Sequence, residues 1–382
     1  MTIKVKLSVA ILVAMLVLAA LTAWRVEVAS EAAVRLASAQ AVAAAARGLD
    51  GLERSDVEKL RTGLSLLETQ PALAAAYQAG DRERFLALAG PVFAELRKNH
   101  DITHFYVHAP SKVNWVRVHS PAQFGDPIGR VTLARAIETG DVGAGKELGK
   151  NGFALRVVEP WKVDGQVIGY LELGEEIDHF LGRMRAQTGD EYALLILKER
   201  VEEKAWTAFY KDRRPWGPDP EHVIANDTTS DPAAAASLSV KGLDADRLLP
   251  DLARDGKVWA RGLVPVRDAS GALAGGLLVL HDVTTLSTSM AHARNVLLGI
   301  LVMAAIAMAV ILVWLTDVLV FSRLARMRAG IEGVGERLAG GDYEVGALAP
   351  TGPGDEIGRF EAFFSSFVQV IAGTLKELTA GR

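Results

Sequence analysis

Cysteine is absent from the 382 residues, which excludes a disulfide framework and any thiolate metal site. That absence is compatible with an oxidising compartment without demonstrating one. Charge of one sign is not in excess: 42 basic residues stand against 46 acidic ones, a formal net of −4, too little to argue for nucleic acid or anionic lipid as a partner. Phosphate-binding loops of the P-loop type, kinase nucleotide motifs and cyclase signatures are also missing. The glycines of GDVGAG (140–145) lack a strand-to-helix context and read as a surface turn. Proline does not occur between Arg25 and Glu68, so nothing there interrupts a helix.

What the chain does have is two charge-free apolar runs, LSVAILVAMLVLAALTA (7–23) and VLLGILVMAAIAMAVILVWL (296–315). At about 1.5 Å per residue such runs cross roughly 30 Å of hydrocarbon, and Trp24 and Trp314 sit at their ends, where amphipathic rings prefer the interface. The first run has a rival reading as a cleavable signal, with Lys4 and Lys6 before it, but no A-x-A site stands out and Ala-rich helical sequence continues past Trp24. It is read as a retained anchor. Lys4 and Lys6 before the first run, and Arg323, Arg326 and Arg328 after the second, place both termini in the cytoplasm and the long intervening segment outside the inner membrane.

That intervening segment opens with an amphipathic helix, Val57, Leu60, Leu64 and Leu67 recurring at spacings of three and four. Gln70-Pro71 interrupts it, and a second helical stretch runs to about Lys98. The period then changes. THFYVH (103–108), VNWVRVHS (113–120), FALRVVEPW (153–161) and QVIGYLELG (166–174) read as strands of one sheet, with a short helix at 130–139. EYALLILK (191–198), KVWARGLVPVR (257–267) and ALAGGLLVLHDV (272–283) repeat the layout more sparsely around a polar stretch near 215–255. Both copies end in a hairpin-like pair, PWKVDGQVIGYLEL and PVRDASGALAGGLLVL, which points to duplicated modules.

These residues resemble a family. A membrane-anchored long helix carrying two small sheet modules, with WVRVHSPAQFGDPIGR (115–130), GKELGKNGFALRVVEPW (145–161) and IGYLELGEEID (168–178), is similar to the double-Cache extracytoplasmic sensors of bacterial chemoreceptors and histidine kinases. The resemblance covers residues 25–290. It implies an α+β fold in which the helix carries two Cache (PAS-like) antiparallel-sheet modules, and a small ligand bound on a sheet face under a helical cover.

Strand alternation places His104, Tyr106 and His108 on one face, and Trp115, Arg117 and His119 on one face of the next strand. Arg156, Glu159 and Trp161 repeat the mixture. A face of Arg, His, Tyr and Trp suits a small organic anion, because guanidinium forks a carboxylate and aromatic rings exclude water. The expected ligand contacts are therefore Tyr106, His108, Trp115, Arg117, His119, Arg156, Glu159 and Trp161. A structural ion pair or core aromatic is the plainer reading of each. His104, His108 and His119 also raise a metal reading, but no carboxylate cluster or helical H-x-x-x-H accompanies them in the sequence, and neither metal nor cofactor is expected.

After the second apolar run, Leu324, Met327, Ile331, Val334 and Leu338 recur at 3, 4, 3, 4, and Ile357, Phe360, Phe364, Phe367 and Ile371 do the same. Two such stripes are coiled-coil seams, and two helices per chain close most economically as a homodimeric four-helix bundle. With Gly341-Asp342, an apolar residue at Val345 or Leu348, and Asp355-Glu356-Ile357-Gly358 opening the second helix, the region resembles a HAMP linker of parallel helices. The Pro often found at its start is replaced by Ser322-Arg323. Leu324, Met327, Ile331, Asp355, Glu356, Ile357, Gly358 and Phe360 are the expected transmission residues.

The domain expectation is a cytoplasmic start (1–6), a membrane helix (7–24), a stalk (25–100), a distal module (101–188), a proximal module (189–290), a second membrane helix (296–320), a HAMP linker (321–375) and a tail (376–382). The expected function is a homodimeric, multi-pass inner-membrane receptor that senses a small extracytoplasmic ligand and signals to a cytoplasmic partner or a missing output domain. It is not expected to be an enzyme. Two rivals are a tethered extracytoplasmic enzyme using His104, His108, His119 and Glu159 or Glu172 as acid–base groups, and a dimeric scaffold that binds nothing.

Overall fold

The structure is a computed structural model that describes residues 3–149, 152–229, 234, 238–342, 344–346 and 356–380. Leu348 and Asp355 lie outside the described residues, and Glu356 opens a helix without a described side chain. The chain divides into two compact units, residues 30–289 and the pairing of 1–29 with 290–382.

Helix α1 runs from Ile3 to Glu68, as the proline-free stretch demands. Within the first unit it buries Val42, Ala45, Leu49, Leu52, Leu60, Leu64 and Leu67. The predicted second helix is two: α2 (Pro71–Gln78) starts on its own proline, and α3 (Arg82–His100) starts where the Asp81 carboxylate accepts from the Arg84 N–H at 2.9 Å. The break between them was not marked by a second proline.

Two five-stranded antiparallel sheets follow, with identical strand order. The distal sheet is β2-β1-β5-β4-β3, from β1 (His104–His108), β2 (Asn114–Arg117), β3 (Gly143–Gly149), β4 (Gly152–Val163) and β5 (Gln166–Glu176). The proximal sheet is β7-β6-β10-β9-β8, from β6 (Glu191–Leu197), β7 (His222–Asp227), β8 (Arg247–Arg254), β9 (Lys257–Arg267) and β10 (Leu273–Asp282). The duplication inferred from the paired hairpins is thus a duplication of topology. GDVGAG is not a loop throughout: Gly143–Gly145 begins the edge strand β3. The stretch 215–255 likewise holds two edge strands. Between the β-elements stand α4 (Val131–Thr139), α5 (Asp178–Thr188) and α6 (Glu203–Tyr210).

One apolar core joins these parts. The α1 stripe packs with Phe105, Leu171, Leu173 and Trp161 of the distal sheet and with Tyr192, Leu194, Ile196, Val264 and Leu277 of the proximal one. At Gly262 the helix comes so close that an added Cβ would stand 2.2 Å from Val42 Cγ2 and 3.2 Å from the Arg247 carbonyl.

In the second unit, the α1 segment and α7 (Thr284–Thr316) contain stretches with mean hydropathy 2.3 and 3.1, long and apolar enough to cross a membrane. Arg294 pairs with Glu27 at 2.5 Å. A π-helical turn at Asp317–Phe321 leads into α8 (Ser322–Ala339), and α9 spans Glu356–Ala380. On α9 the buried positions are Gly358, Glu361, Ser365, Val368 and Ala372, one residue beyond the expected stripe. Phe360, Phe367 and Ile371 of that stripe are 52%, 50% and 37% exposed, because within one chain α9 buries its small and polar side.

Gly262→Ala is expected to lower stability by about 1–3 kcal/mol, the usual range for overpacking a closed contact. Combined with Val42→Ala the loss should fall below the sum of the two single losses, since the clash partner is gone. Denaturant unfolding of the three variants measures this.

Candidate functional site

The distal sheet has two unlike faces. Toward α1–α3 it carries Phe105, Val107, Leu171 and Leu173, all fully or nearly fully buried. Toward α4 and the 118–130 loop it carries His104, Tyr106, His108, Arg117, Arg156, Val158, Tyr170 and Glu172, placed by the pairings Tyr106 with Arg117 and Glu172, Val158 with Glu172, and His108 with Tyr170. Helix α4 can lie close because Gly143 has no side chain: a Cβ there would stand 1.9 Å from the Thr132 carbonyl oxygen. From β3, Glu147 reaches the same face, and its Oε1 accepts from the Thr132 N–H at 2.7 Å at the start of α4, where helix N–H groups lack internal partners.

Glu172 is the hub. Its side chain is fully buried, and its Oε1 accepts from Arg130 and from Arg156 at 2.6 Å each, while Oε2 meets His108 Nε2 at 2.8 Å. Arg130 also donates to the Tyr106 hydroxyl at 3.0 Å. Arg117 pairs with Asp126 at 2.6 Å, and Asn114 donates to the other oxygen of Asp126 at 3.2 Å. The guanidinium carbons of Arg130, Arg117 and Arg156 lie 4.5, 5.4 and 5.6 Å from the Tyr106 ring centre. His108 and His104 stack on either side of that ring at 5.5 and 6.2 Å, and His119 stands edge-on at 4.7 Å. Three guanidiniums therefore face three carboxylates, Asp126, Glu147 and Glu172, around one phenol.

Burial opposes the ionised form of Glu172, but the charges of Arg130 and Arg156 and the His108 hydrogen bond outweigh it, holding the carboxyl well below its usual range. The same surroundings keep two imidazoles neutral. Burial, then the Arg156 charge, pushes His104 down to about 2. Burial pushes His119 down to about 4, against a hydrogen bond from the ring to the Phe105 carbonyl oxygen, which favours the charged form.

Of the residues expected from sequence, the structure brings together Tyr106, His108, Arg117, His119 and Arg156. Trp115, Glu159 and Trp161 do not share their face. The β1–β2 register shifts between Val107 and His108, and this bulge turns Trp115 against Tyr77 and Phe85 of α2 and α3, at ring distances of 4.8 and 5.3 Å. Glu159 and Trp161 are an odd number of residues from Arg156 and so point away from it: Glu159 pairs with Arg61 of α1 at 3.3 Å, and Trp161 packs on Tyr77. Sequence reasoning missed Arg130, which read only as a helix start, Glu147, which follows the supposed turn and was given no role, and Asp126. In the sequence Glu172 reads as a possible acid–base group, not as the centre of a network. A polar residue inside YLELG, a run otherwise reading as core, was the available signal.

Neutral histidines in the fold set a pH dependence. The unfolded chain takes up protons as pH falls through 6.5, while folded His119 and His104 resist until about 4 and about 2. Their contribution is complete above 6.5 and is lost on acidification toward those values, at up to about 1.4 kcal/mol per pH unit per group. Between pH 6.5 and 5 the Tm should fall, and His119→Asn should flatten that fall. An unchanged slope in the variant would contradict the assignment.

The chain's residues 38–286 match the family model described as the double sensory domain of two-component sensor kinase. Among solved structures, the periplasmic domain of Vibrio cholerae LuxQ is similar at 13% identity and a TM-score of 0.39, covering 62% of this chain and 97% of that one. The ligand-binding domain of the Campylobacter jejuni chemoreceptor Tlp3, in complex with 4-methylisoleucine, is similar at 10% identity and a TM-score of 0.39, covering 67% and 93%. Among curated proteins none matches the chain. With a duplicated sheet topology on one long helix and a family match across both sheets, the chain belongs to the double-Cache family of sensory domains found in two-component sensor kinases.

Proposed function

We propose that this chain is a membrane-anchored receptor that binds a small organic anion on the α4-covered face of the distal sheet and relays the change to a cytoplasmic signalling partner. The observation that carries the reading is the convergence of Arg117, Arg130 and Arg156 on the Tyr106 ring. Tyr106, His108, Arg117, His119 and Arg156 remain the ligand contacts, joined by Arg130. Trp115, Glu159 and Trp161 belong to the support behind the sheet.

The arginines are not equally available. Glu172 is sealed, whereas Asp126 is 46% exposed and Arg117 12% exposed, so this is the pair that opens most cheaply. A carboxylate ligand takes the place of Asp126 on Arg117, and the freed 118–130 loop resettles with Arg130 at its end. The face so altered is backed by β5, whose last residues lead into α5, and by α1, which continues into the first apolar stretch. Signal then passes as a shift of helices across the inner membrane to α8 and α9, read as a HAMP-type linker with Leu324, Met327, Ile331, Asp355, Glu356, Ile357, Gly358 and Phe360 in the switching bundle. The exposed stripe Phe360, Phe367 and Ile371 supports pairing with a second copy. To carry a two-state bundle from 1:99 to 99:1, ligand must favour one state by about 5.5 kcal/mol.

Thermal unfolding of the intact chain in detergent, against a panel of small mono- and dicarboxylates, tests binding. A stabilising acid should lose its effect in Arg117→Ala and bind more tightly to Asp126→Asn, which removes the internal competitor. Since the chain has no cysteine, Leu324→Cys introduces a single thiol, and ligand should change its rate of disulfide crosslinking between copies. No response to any acid, with crosslinking also unaltered, would defeat the reading.

A further inference from the structure

A second cluster lies on the other side of β5, away from the Tyr106 face. Asp56 and Lys59 come from α1, Glu175 from the end of β5, and His179 and Arg183 from α5. Among the described residues, Asp56, Glu175 and His179 are the one group of three potential metal ligands whose donor atoms all lie within 4.8 Å of one another. His179 Nε2 is 2.9 Å from Asp56 Oδ2 and 3.9 Å from Glu175 Oε1, separations close to those of ligands sharing one tetrahedral ion with bonds near 2.0–2.2 Å.

Two observations raise this above an acidic patch. Glu175 is fully buried, yet neither of its carboxylate oxygens has a partner in hydrogen-bond geometry, a costly arrangement for an interior carboxylate. The Lys59 ammonium lies 2.5 Å from its Oε2 and 3.1 Å from Asp56 Oδ2, and His179 Nε2 lies 3.9 Å from its Oε1. The second observation concerns the imidazole. His179 Nδ1 lies 3.1 Å from the Glu176 carbonyl oxygen, which only accepts, so Nδ1 carries the proton and donates. Nε2 faces the two carboxylates, so the neutral ring offers a lone pair at the point where the three groups converge, a point that suits a cation and that the Lys59 ammonium fills in this structure. A backbone carbonyl holding the far nitrogen is how metal-ligating histidines are ordinarily oriented.

We propose that Asp56, Glu175 and His179 form a binding site for a zinc-class divalent transition metal ion, with Lys59 as a built-in occupant that the ion displaces. Imidazole with two carboxylates favours a borderline ion over Ca²⁺ or Mg²⁺, which prefer six or more oxygens. Lys59 is 26% exposed, and its flexible stem allows the ammonium to move into water, while Arg183 keeps its own contact to Asp56 Oδ1 at 3.1 Å. Two carboxylates then face one doubly charged ion, a neutral set. Because the ligands come from α1, β5 and α5, the ion pins the long helix to the segment that joins the two sheets, and binding stabilises the fold by mass action.

The test is titration of the intact, tag-free, chelator-treated chain in detergent with Zn²⁺ alone, followed by calorimetry and by thermal unfolding, with Co²⁺ absorption as a report on geometry. One Zn²⁺ per chain, a raised Tm, a tetrahedral Co²⁺ spectrum and no Tm shift with Mg²⁺ or Ca²⁺ are expected. His179→Ala, at a partly exposed position, and Glu175→Gln should each weaken Zn²⁺ binding by about 10-fold or more. Lys59→Met should tighten it, whereas His119→Asn should leave it unchanged. Absence of saturable binding, binding that survives His179→Ala and Glu175→Gln undiminished, or a Lys59→Met chain that binds no better would overturn the proposal.

Discussion

Both sheets rest on a single helix, and that is the constraint from which the rest follows. A five-stranded sheet with one apolar face must cover it, and here the stripe running from Val42 to Leu67 of α1 enters the cover of both sheets, joined by residues of α2, α3, α5 and α6. The two modules share a core, so neither buries its inner face independently. Close approach at Gly262 and the pairing of Glu159 with Arg61 are local consequences.

With most of the inner face of the distal sheet committed to packing, its outer face is the one that carries the Arg, His and Tyr side chains. On the distal sheet this produces a buried carboxylate that is acceptable only because two guanidiniums and an imidazole surround it. Removing one partner from such a network leaves an uncompensated interior charge, whereas the Arg117–Asp126 pair is more exposed to water. The paired charges also explain why a face so rich in arginine is not a strongly positive one.

Much of the fold was legible. Helix α1, the Gln70-Pro71 break, the interior strands β1, β4, β5, β6, β9 and β10, and the edge strand β2 with its alternating VNWVRV run follow from composition and period, since such strands are apolar on at least one face and are bounded by turn residues. The strands that escaped were β3, β7 and β8, every one of them at a sheet edge. Edge strands pair on one side only and tolerate residues that interior strands reject, such as the glycines of β3 and Pro250 within β8. The sequences of β3, β7 and β8 therefore look like loops.

The sequence by itself determined the number of long apolar runs, the duplicated hairpins, the heptad stripes and the presence of Tyr106, Arg117 and Arg156 on alternating positions. Only the tertiary structure decided which of these side chains meet. Alternation holds along a strand until a bulge intervenes, and the shift between Val107 and His108 sent Trp115 to the opposite face. Arg130 and Glu147 reached the site by way of a loop and an edge strand, and Asp56 met Glu175 and His179 across more than a hundred positions of sequence. Contacts of that range depend on how α1, β5 and α5 pack against one another, and no local period in the chain encodes that packing.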